Sequence, residues 1–282
     1  MDFDAKNGSF SPKQPYFVLA STRYYKAEVM RYGISHFYSF YNEGKLDTTI
    51  SAVPDGCVDI LFCCDNEAPY ASVCGTVLKP KLVNFEKNKY YFGVRFLPGH
   101  MLKFKNAKMS DLIEQEVSLS ELLDDQELFE CITSSHDFKY QMQFFMDKYL
   151  RNIEMYQTEN TFEGMREFLV KKVIESKGQI KVSDLAMASG YSERYVGKMF
   201  NDEFGLAPKV FCKLIRFQHL LYNMNEIDKE DNGLNLIELA TELGYYDQSH
   251  MIKDFNELSN ITPTKYLHLL KKTEYKKRII LV

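Results

Sequence analysis

The feature that most constrains this fold is an internal repeat between residues 184–211 and residues 238–267. The two segments share apolar, glycine, aromatic and proline positions: Leu185 with Leu239, Ala186 with Ala240, Gly190 with Gly244, Tyr191 with Tyr245, Phe200 with Phe255, and Pro208 with Pro263. A glycine at the end of a short helix can adopt a left-handed backbone conformation without steric cost, so the chain can turn sharply there. The repeat therefore predicts two units of helix, tight turn and helix.

The second helix of each unit is expected to begin at a capping residue and to bury one face. Ser192 and Asp247 have short side chains whose oxygen can accept a hydrogen bond from the first helical turn. Apolar residues three or four positions apart predict the inward faces: Val196, Met199, Phe200 and Phe204 in the first unit, and Met251, Phe255 and Leu258 in the second. The positions left outward are Arg194, Gly197, Lys198, Asn201, Ser249, Ile252, Lys253 and Asn256.

These outward residues have two interpretations. Arg, Lys, Gln and Ser near the start of a helix can hydrogen-bond to base edges in the major groove of DNA, and the same residues could simply be solvated. A single unit would favour the second interpretation. Two units in register favour DNA binding, with the two helices reaching groove segments about 34 Å apart, one helical turn of DNA.

The region 165–270 resembles the DNA-binding domain of the AraC/XylS family of bacterial transcription regulators. The family's run G-[FY]-x-D-x-S-x-[FM]-x-[KR]-x-F, followed by [ST]-P-x-x-[YF], stands here as GYYDQSHMIKDF (244–255) and TPTKY (262–266). The resemblance implies two subdomains joined by a linker helix at 209–223. It implies base-reading positions at Arg194, Gly197, Lys198, Gln248, Ser249, Ile252 and Lys253. The capped helix ends at Ser192 and Asp247 are expected to meet DNA phosphates.

Three departures from the family pattern bear on the geometry. Gly197 has no side chain where the family often reads a base, so the first helix is expected to depend on Arg194 and Lys198. Ala207 stands where the family usually has a capping Ser, a change that removes about 1 kcal/mol of helix stabilisation. The stretch 225–233 lengthens the connection between the subdomains, which leaves the spacing of the two recognition helices open.

The N-terminal half reads as strands. Four short β-branched or aromatic segments lie between Gly, Pro, Asn or Asp turns, at 33–41, 56–64, 70–78 and 90–96. This even spacing predicts a compact barrel or a double-sheet jelly roll, followed by helices from Ser110 onward. The overall fold class is therefore α+β, with a cupin-like sensor and dimerisation domain at 1–156 and an all-α domain of two helix-turn-helix units at 162–282. Residues 157–161 are the expected linker.

An apolar stripe marks the helical segment 138–156, where Phe138, Met142, Phe145, Tyr149 and Ile153 recur every three or four residues. Such a stripe either packs on its own domain or forms a dimer seam. Met142, Phe145 and Tyr149 are the candidate dimerisation residues, and sequence reasoning gives the two alternatives equal weight.

Two further segments, 53–62 and 92–99, resemble parts of the cupin-type sensor domain of some AraC/XylS regulators. In the family such barrels bind a small effector, mediate dimerisation, or do both. The candidate ligand-binding residues are Asp55, Asp59, Arg95 and His100. The structural alternative, which is favoured, is that 54–56 forms a turn and that Arg95 neutralises Asp59 within the sheet.

Charge and cysteine usage narrow the function classes. The net charge is −4, and residues 161–282 carry 18 basic and 17 acidic side chains against 17 and 22 in residues 1–160, so placement rather than total charge must explain DNA binding. The six cysteines form no CxxC pair, and adjacent Cys63 and Cys64 are expected on opposite faces of a strand. A redox or metal sensor built from Cys57, Cys63, Cys64 and Cys74 is the less favoured alternative.

The sequence therefore predicts a regulator and not an enzyme. The six histidines are scattered, and no catalytic residue, metal ligand or cofactor is expected. The competing classes are a cupin-type metal enzyme and a DNA-binding protein controlled only by protein partners. Expected partners are operator or promoter double-stranded DNA, a small-molecule effector, a second copy of the chain and RNA polymerase. Family analogy favours an activator, and the polar N-terminus with no long apolar run predicts a cytoplasmic protein with no membrane contact.

Overall fold

The computed structural model describes residues 11–44, 50–156, 161–226 and 235–282. Most of the predicted linker 157–161 and of the connection 225–233 therefore lies outside the described residues. A β-rich N-terminal part is followed by helices, as the sequence predicts. Within the described ranges, no helix has the length and apolar composition needed to cross a membrane.

Over the ranges that the structure describes, nine strands form two sheets. The strands are β1 (Tyr24–Arg31), β2 (Ile34–Asn42), β3 (Ile50–Ala52), β4 (Asp59–Cys64), β5 (Tyr70–Cys74), β6 (Lys81–Val83), β7 (Lys89–Phe96), β8 (Glu116–Ser118) and β9 (Ile279–Leu281). Seven of them form one sheet in the order β8-β5-β4-β7-β2-β1-β9, while β3 and β6 form a separate pair. In the described residues the large sheet keeps an edge at β8 and another at β9, so it does not close into a barrel.

The central strands β2, β4 and β7 of the large sheet are buried on both faces. One face, with Phe37 and Phe92, packs against the helices that follow the sheet. The other face, with Tyr38 and Tyr91, packs under the small sheet. Cys63 and Cys64 lie on opposite faces, as predicted from their adjacency in a strand. Within the described residues, His, Cys, Asp and Glu are nowhere grouped closely enough to hold a metal ion.

Gly93 is the position where the sheet has no room for a side chain. A Cβ added there would lie 2.1 Å from the Tyr38 ring, which fills the space above this residue of β7. Tyr38 is fully buried, and its neighbour Tyr24 stacks on it with ring centroids 5.6 Å apart. A glycine in the middle of a strand therefore allows an aromatic ring to cover the backbone closely.

Twelve helices accompany the strands in the described residues. They are α1 (Pro15–Leu19), α2 (Leu119–Leu122), α3 (Gln126–Thr133), α4 (Phe138–Tyr156), α5 (Thr161–Glu175), α6 (Val182–Ser189), α7 (Glu193–Phe204), α8 (Pro208–Glu226), α9 (Leu236–Glu242), α10 (Gln248–Ser259), α11 (Pro263–Lys272) and α12 (Tyr275–Arg278). A 3₁₀ turn covers Met109–Leu112. The expected linker helix at 209–223 is α8, which begins one residue earlier and ends three residues later.

The apolar stripe of α4 packs on its own sheet. Phe145 is 1% exposed, and its ring contacts Phe37 edge-on at 5.7 Å between centroids. Tyr149 is 7% exposed and donates a hydrogen bond to the Tyr32 carbonyl over 2.6 Å. Met142 is half-buried against the same core. A dimer seam through α4 would have to use its other positions, so dimerisation through Met142, Phe145 and Tyr149 is not supported by their placement.

One hydrophobic core runs through both halves of the chain. The buried apolar cluster that begins under the sheet with Phe92 and Phe96 continues through Val170 of α5 into Phe211 and Phe217 of α8. The predicted units 1–156 and 162–282 are therefore joined by shared packing. Strand β9 also belongs to the large sheet of the first unit although it follows the second unit in sequence.

Candidate nucleic-acid interface

The first helix-turn-helix unit consists of α6, a glycine turn and α7. Gly190 adopts φ +74°, and the N–H of Tyr191 donates to the Ala186 carbonyl over 3.2 Å, which closes the end of α6. The Ser192 hydroxyl then accepts a hydrogen bond from the N–H of Tyr195 over 3.2 Å and caps α7. Both the glycine turn and the cap are confirmed.

The second unit repeats this geometry with α9 and α10. Gly244 adopts φ +70°, and the Tyr245 N–H donates to the Ala240 carbonyl over 2.9 Å. The Asp247 carboxylate accepts from the His250 N–H over 2.7 Å and caps α10. Gly244 also has little room for a side chain, because a Cβ there would lie 2.6 Å from the Gln179 side chain. The two units therefore share the glycine turn and the side-chain cap of the second helix.

The buried faces of both second helices are those that the apolar spacing predicts. In α7 they are Val196, Met199, Phe200 and Phe204, and in α10 they are Met251, Phe255 and Leu258. The outward faces follow from this burial. Ser192, Arg194, Lys198, Asp247, Ser249 and Lys253 are exposed, and Gly197, Gln248 and Ile252 are partly exposed. Each of the sequence-predicted DNA-contacting positions thus has some surface open to a ligand.

Comparison with protein-family models matches residues 185–268 to a helix-turn-helix domain and residues 27–118 to a domain of unknown function (DUF6597). No curated protein matches the chain. The first match covers both units whose glycine turns and caps are described above. Residues 185–268 are an AraC-type helix-turn-helix domain. The chain is accordingly a DNA-binding transcription regulator.

Solved structures of regulators are also similar to the chain. The C-terminal domain of the response regulator yesN from Fusobacterium nucleatum is 23% identical, with a TM-score of 0.32 over 36% of this chain and 96% of that chain. The C-terminal domain of AraT, a response regulator from Geobacillus stearothermophilus, is 18% identical, with a TM-score of 0.33 over 40% and 88%. ToxT from Vibrio cholerae is 9% identical, with a TM-score of 0.44 over 83% and 97%.

The two units of the AraC-type domain differ just before the second helix. The first unit passes directly from Tyr191 to its cap, whereas the second inserts Tyr246 between Tyr245 and its cap. Tyr245 is 5% exposed, and Tyr246 is 93% exposed, next to the amino end of α10. Sequence alignment of the repeat missed Tyr246, although the additional residue in the second copy was a visible signal.

The departures from the family pattern have local structural consequences. Outside α7 itself, no atom of the described residues lies within 4 Å of a Cβ added at Gly197, so the glycine leaves open space on the outward face of α7. The Thr262 hydroxyl caps α11 by accepting from the Lys265 N–H over 3.3 Å. At the equivalent start of α8, Ala207 offers only its backbone carbonyl, which accepts from the Val210 N–H over 2.9 Å. The first unit therefore lacks a side-chain cap that the second unit has.

In the N-terminal part, three of the four candidate ligand residues lie together. The guanidinium of Arg95 on β7 donates from Nε to Asp59 of β4 over 2.7 Å, and its Nη1 lies 3.5 Å from the Asp55 carboxylate. The Tyr38 hydroxyl also donates to Asp59 over 3.0 Å. Gln14 donates to Asp55 over 2.9 Å. The sequence favours a structural role in which Arg95 neutralises Asp59 within the sheet, and the structure has this pair.

This cluster is buried and consists of two carboxylates and one guanidinium. Arg95 is 3% exposed, Asp55 4% and Asp59 6%. Burial raises the pKa of Asp55 above its ordinary value, although the nearby Arg95 charge acts in the opposite direction. Because the polar atoms of these residues largely satisfy one another, the cluster first of all fixes the turn 53–57 against the sheet.

His100 stands apart from the other three candidates. Its Nδ1 lies 3.1 Å from the Pro98 carbonyl, and its ring packs against Gly33 in the β1–β2 turn. Burial, together with the positive charge of Arg166 on α5, lowers the pKa of His100 to about 4. The ring is therefore neutral near pH 7 and belongs to the contact between the N-terminal part and α5.

The turns next to this cluster contact the AraC-type domain and the helix α5 that precedes it. Gln218 of α8 is fully buried, and its side-chain amide donates to the Pro54 carbonyl over 2.9 Å. A Cβ at Gly99 would lie 2.8 Å from Val170 of α5. That Cβ would also lie 3.4 Å from the ring of Phe204, the last residue of α7. The segments that resemble a sensor domain are thus in direct contact with the linker helix and with the end of the first recognition helix.

Proposed function

We propose that the two capped helices α7 and α10 read neighbouring major-groove segments of an operator, and that the N-terminal part controls this binding. The observation that carries the proposal is the duplicated arrangement of glycine turn, capped amino end and exposed polar face. A helix with this exposed face can hydrogen-bond to base edges, while its amino end donates backbone N–H groups to phosphates.

The proposed roles follow from position on the helix. Arg194 and Lys198 of α7, and Gln248, Ser249 and Lys253 of α10, lie in the first two turns, where they can reach bases. Ile252 provides an apolar contact of the kind that a thymine methyl group accepts. Gly197 lets the groove approach the backbone of α7. Ser192 and Asp247 hold the amino ends open toward phosphates.

Tyr246 is added to this set. A tyrosine that is 93% exposed leaves most of its ring in water, beside the amino end of a recognition helix. Tyr combines apolar area with a hydroxyl donor, a combination that is common where proteins meet a partner. We assign its hydroxyl to a phosphate of the half-site bound by α10.

Control is assigned to the N-terminal part through its contacts with α5, α7 and α8. A small-molecule effector or a protein partner that changes the turns 53–57 or 97–100 would act directly on Gln218, Val170 and Phe204. Such a ligand shifts the populations of states that differ in operator affinity. The charged cluster of Asp55, Asp59 and Arg95, with His100 nearby in sequence, is the proposed point of action.

The remaining assignments rest on family analogy. We propose a cytoplasmic activator that acts as a homodimer and contacts RNA polymerase at the promoter, with no catalytic activity of its own.

Selection of genomic DNA fragments by the purified full chain tests the proposal first. Enrichment of a bipartite motif with half-sites about one helical turn apart supports reading by both units. Because the shared core joins the two halves of the chain, the full chain is the appropriate sample. If no motif is enriched at low or high salt, with or without candidate effectors, the assignment of α7 and α10 as recognition helices is wrong.

Substitutions then separate base contacts from phosphate contacts. Lys253→Ala should weaken operator binding by about 1–3 kcal/mol and relax the preference at one base pair. Tyr246→Phe, which removes only the hydroxyl, should weaken binding to every sequence alike. Lys139→Ala is the matched control, because this exposed lysine at the start of α4 carries the same charge outside the interface. Equal affinities for Lys253→Ala and Lys139→Ala would remove Lys253 from the site.

A further inference from the structure

The chain after α11 returns to the N-terminal sheet. Strand β9 pairs in parallel with β1, with Tyr24 opposite Ile279, Tyr25 opposite Ile280, and Lys26 opposite Leu281. The Val282 N–H extends this ladder by donating to the Lys26 carbonyl over 3.0 Å. The segment 273–282, called here the latch, thus joins the second helix-turn-helix unit to the sheet that precedes the first.

Two side chains anchor the latch. Tyr275 of α12 is 5% exposed, and it completes the aromatic cluster formed by Tyr24, Tyr38 and Tyr91 on the face of the sheet that the small sheet covers. Arg278 donates from Nη1 to the Ser21 carbonyl over 2.8 Å and from Nε to the Thr273 carbonyl over 2.9 Å. The anchors are specific, since they join apolar burial to charge-assisted hydrogen bonds.

The N-terminal part, to which the latch is attached, lies beside the outward face of α10. A cleft of about 570 Å³ separates Tyr16 and Ser51 of the N-terminal part from Asn256, Asn260 and Lys265 of the AraC-type domain. Asn256 continues the outward row of Ser249 and Lys253, one turn further along α10. Protein mass therefore flanks the carboxyl half of the recognition face.

This position conflicts with binding in a DNA groove. The major groove is only about 12 Å wide, so a helix lying in it has a phosphate backbone on each side. A wall beside Asn256 would occupy space that one of these backbones needs. A strand of three residues is also short, so its opening requires little of the remaining fold to change.

We propose that the latch is an inhibitory contact that keeps the AraC-type domain in a state of low operator affinity, and that its release permits full engagement of α10. This inference rests on the proposed function and adds the element through which the N-terminal part restrains the second unit. By linkage, operator DNA in turn favours the open latch.

Three chains test the proposal. A chain ending at Arg278 removes β9 without changing any charged side chain. Arg278→Ala removes the donors to Ser21 and Thr273 and keeps β9. Lys277→Ala is the matched control, because it removes the same charge from α12, where this lysine pairs with Glu274 of its own segment. Hydrogen exchange of the β1 amides reports opening of the latch, and fluorescence anisotropy with the selected operator reports affinity.

The expected result is exchange at Tyr24–Lys26 that is faster by at least about tenfold in the shortened chain and in Arg278→Ala. Both should bind the operator at least about threefold more tightly than the wild type, and Lys277→Ala should match the wild type. Faster exchange with unchanged or weaker operator binding would overturn the inhibitory role. Unchanged exchange in both variants would show that the latch does not hold β1.

Failure of the proposed function has a different signature. In that case none of the chains, wild type included, selects a DNA motif, and the inhibitory role fails with it. Selection by the wild type with the same affinity in the released chains overturns the latch alone. If the shortened chain does not fold, Arg278→Ala supplies the same comparison with β9 intact.

Discussion

His219 makes the stability of the fold depend on pH in a way that can be measured. The residue lies on α8 and is 9% exposed. Burial lowers its pKa from 6.5 to about 4, and the positive charge of Lys177 acts in the same direction. Because the folded state binds the proton less well than the unfolded state, the neutral ring contributes stability above pH 6.5. This contribution is lost as the pH falls below 6.5 toward 4.

The size of the effect follows from the two pKa values. A decrease from 6.5 to about 4 corresponds to about 3 kcal/mol in the free energy of unfolding once the pH is below both values. About 2 kcal/mol of this is already lost at about pH 5, and almost none at about pH 7.5. His36 and His100 also have lowered pKa values because of burial, so the wild type should lose several kcal/mol over this range.

Urea unfolding of the wild type and of His219→Gln at about pH 7.5 and about pH 5 isolates the contribution of one ring. Glutamine stays neutral at both pH values, so the variant should lose about 1–2 kcal/mol less than the wild type on acidification. His268→Gln, at an exposed position of α11, is the control and should follow the wild type. Parallel losses in the wild type and His219→Gln would refute the reasoning, whatever the stability of the variant at neutral pH.

Three further substitutions probe the core, the charged cluster and the interface. Arg95→Leu should destabilise the fold by about 3–5 kcal/mol in urea unfolding, since it leaves the buried Asp59 without its cation; a loss below 1 kcal/mol would contradict this. Phe145→Ala should lower the free energy of unfolding by about 3–5 kcal/mol, and Phe144→Ala, at a half-buried position, should lower it clearly less. Equal losses for the two variants would contradict the packing of Phe145 against the sheet. Gly197→Ala should raise the free energy of unfolding by about 0.5–1 kcal/mol, because alanine favours the helix and the added methyl group meets open space. If the DNA groove approaches the backbone at this position, the same variant should bind the operator more weakly in fluorescence anisotropy.

Distant parts of the chain decide what the end of the second helix-turn-helix unit contacts. By its charge alone, the basic segment 271–278 fits either a solvated helix end or a phosphate contact. Lys271, Lys272 and Lys277 are indeed exposed, but Arg278 is held by backbone carbonyls of the N-terminal part. The segment is therefore divided between the surface and an interdomain anchor.

The sequence by itself determined the AraC-type units. Glycine turns, caps and apolar spacing act within a few residues, so Gly190, Ser192 and Phe200 specify their local geometry wherever the domain lies. Apolar strand runs likewise indicated the β-rich N-terminal part. The candidate residues Asp55, Asp59 and Arg95 were found, but their burial as one cluster required the register between β4 and β7.

Only the tertiary structure decided which surfaces remain free. The stripe of α4 fits a sheet or a second chain equally well in sequence, and the contact of Phe145 with Phe37 selects the sheet. The exposure of Tyr246 depends on Tyr245 taking the buried position in the turn. The pairing of β9 with β1 joins residues more than 250 positions apart. No local pattern encodes such a contact, because the closure of a long loop is stabilised only when the rest of the fold is in place.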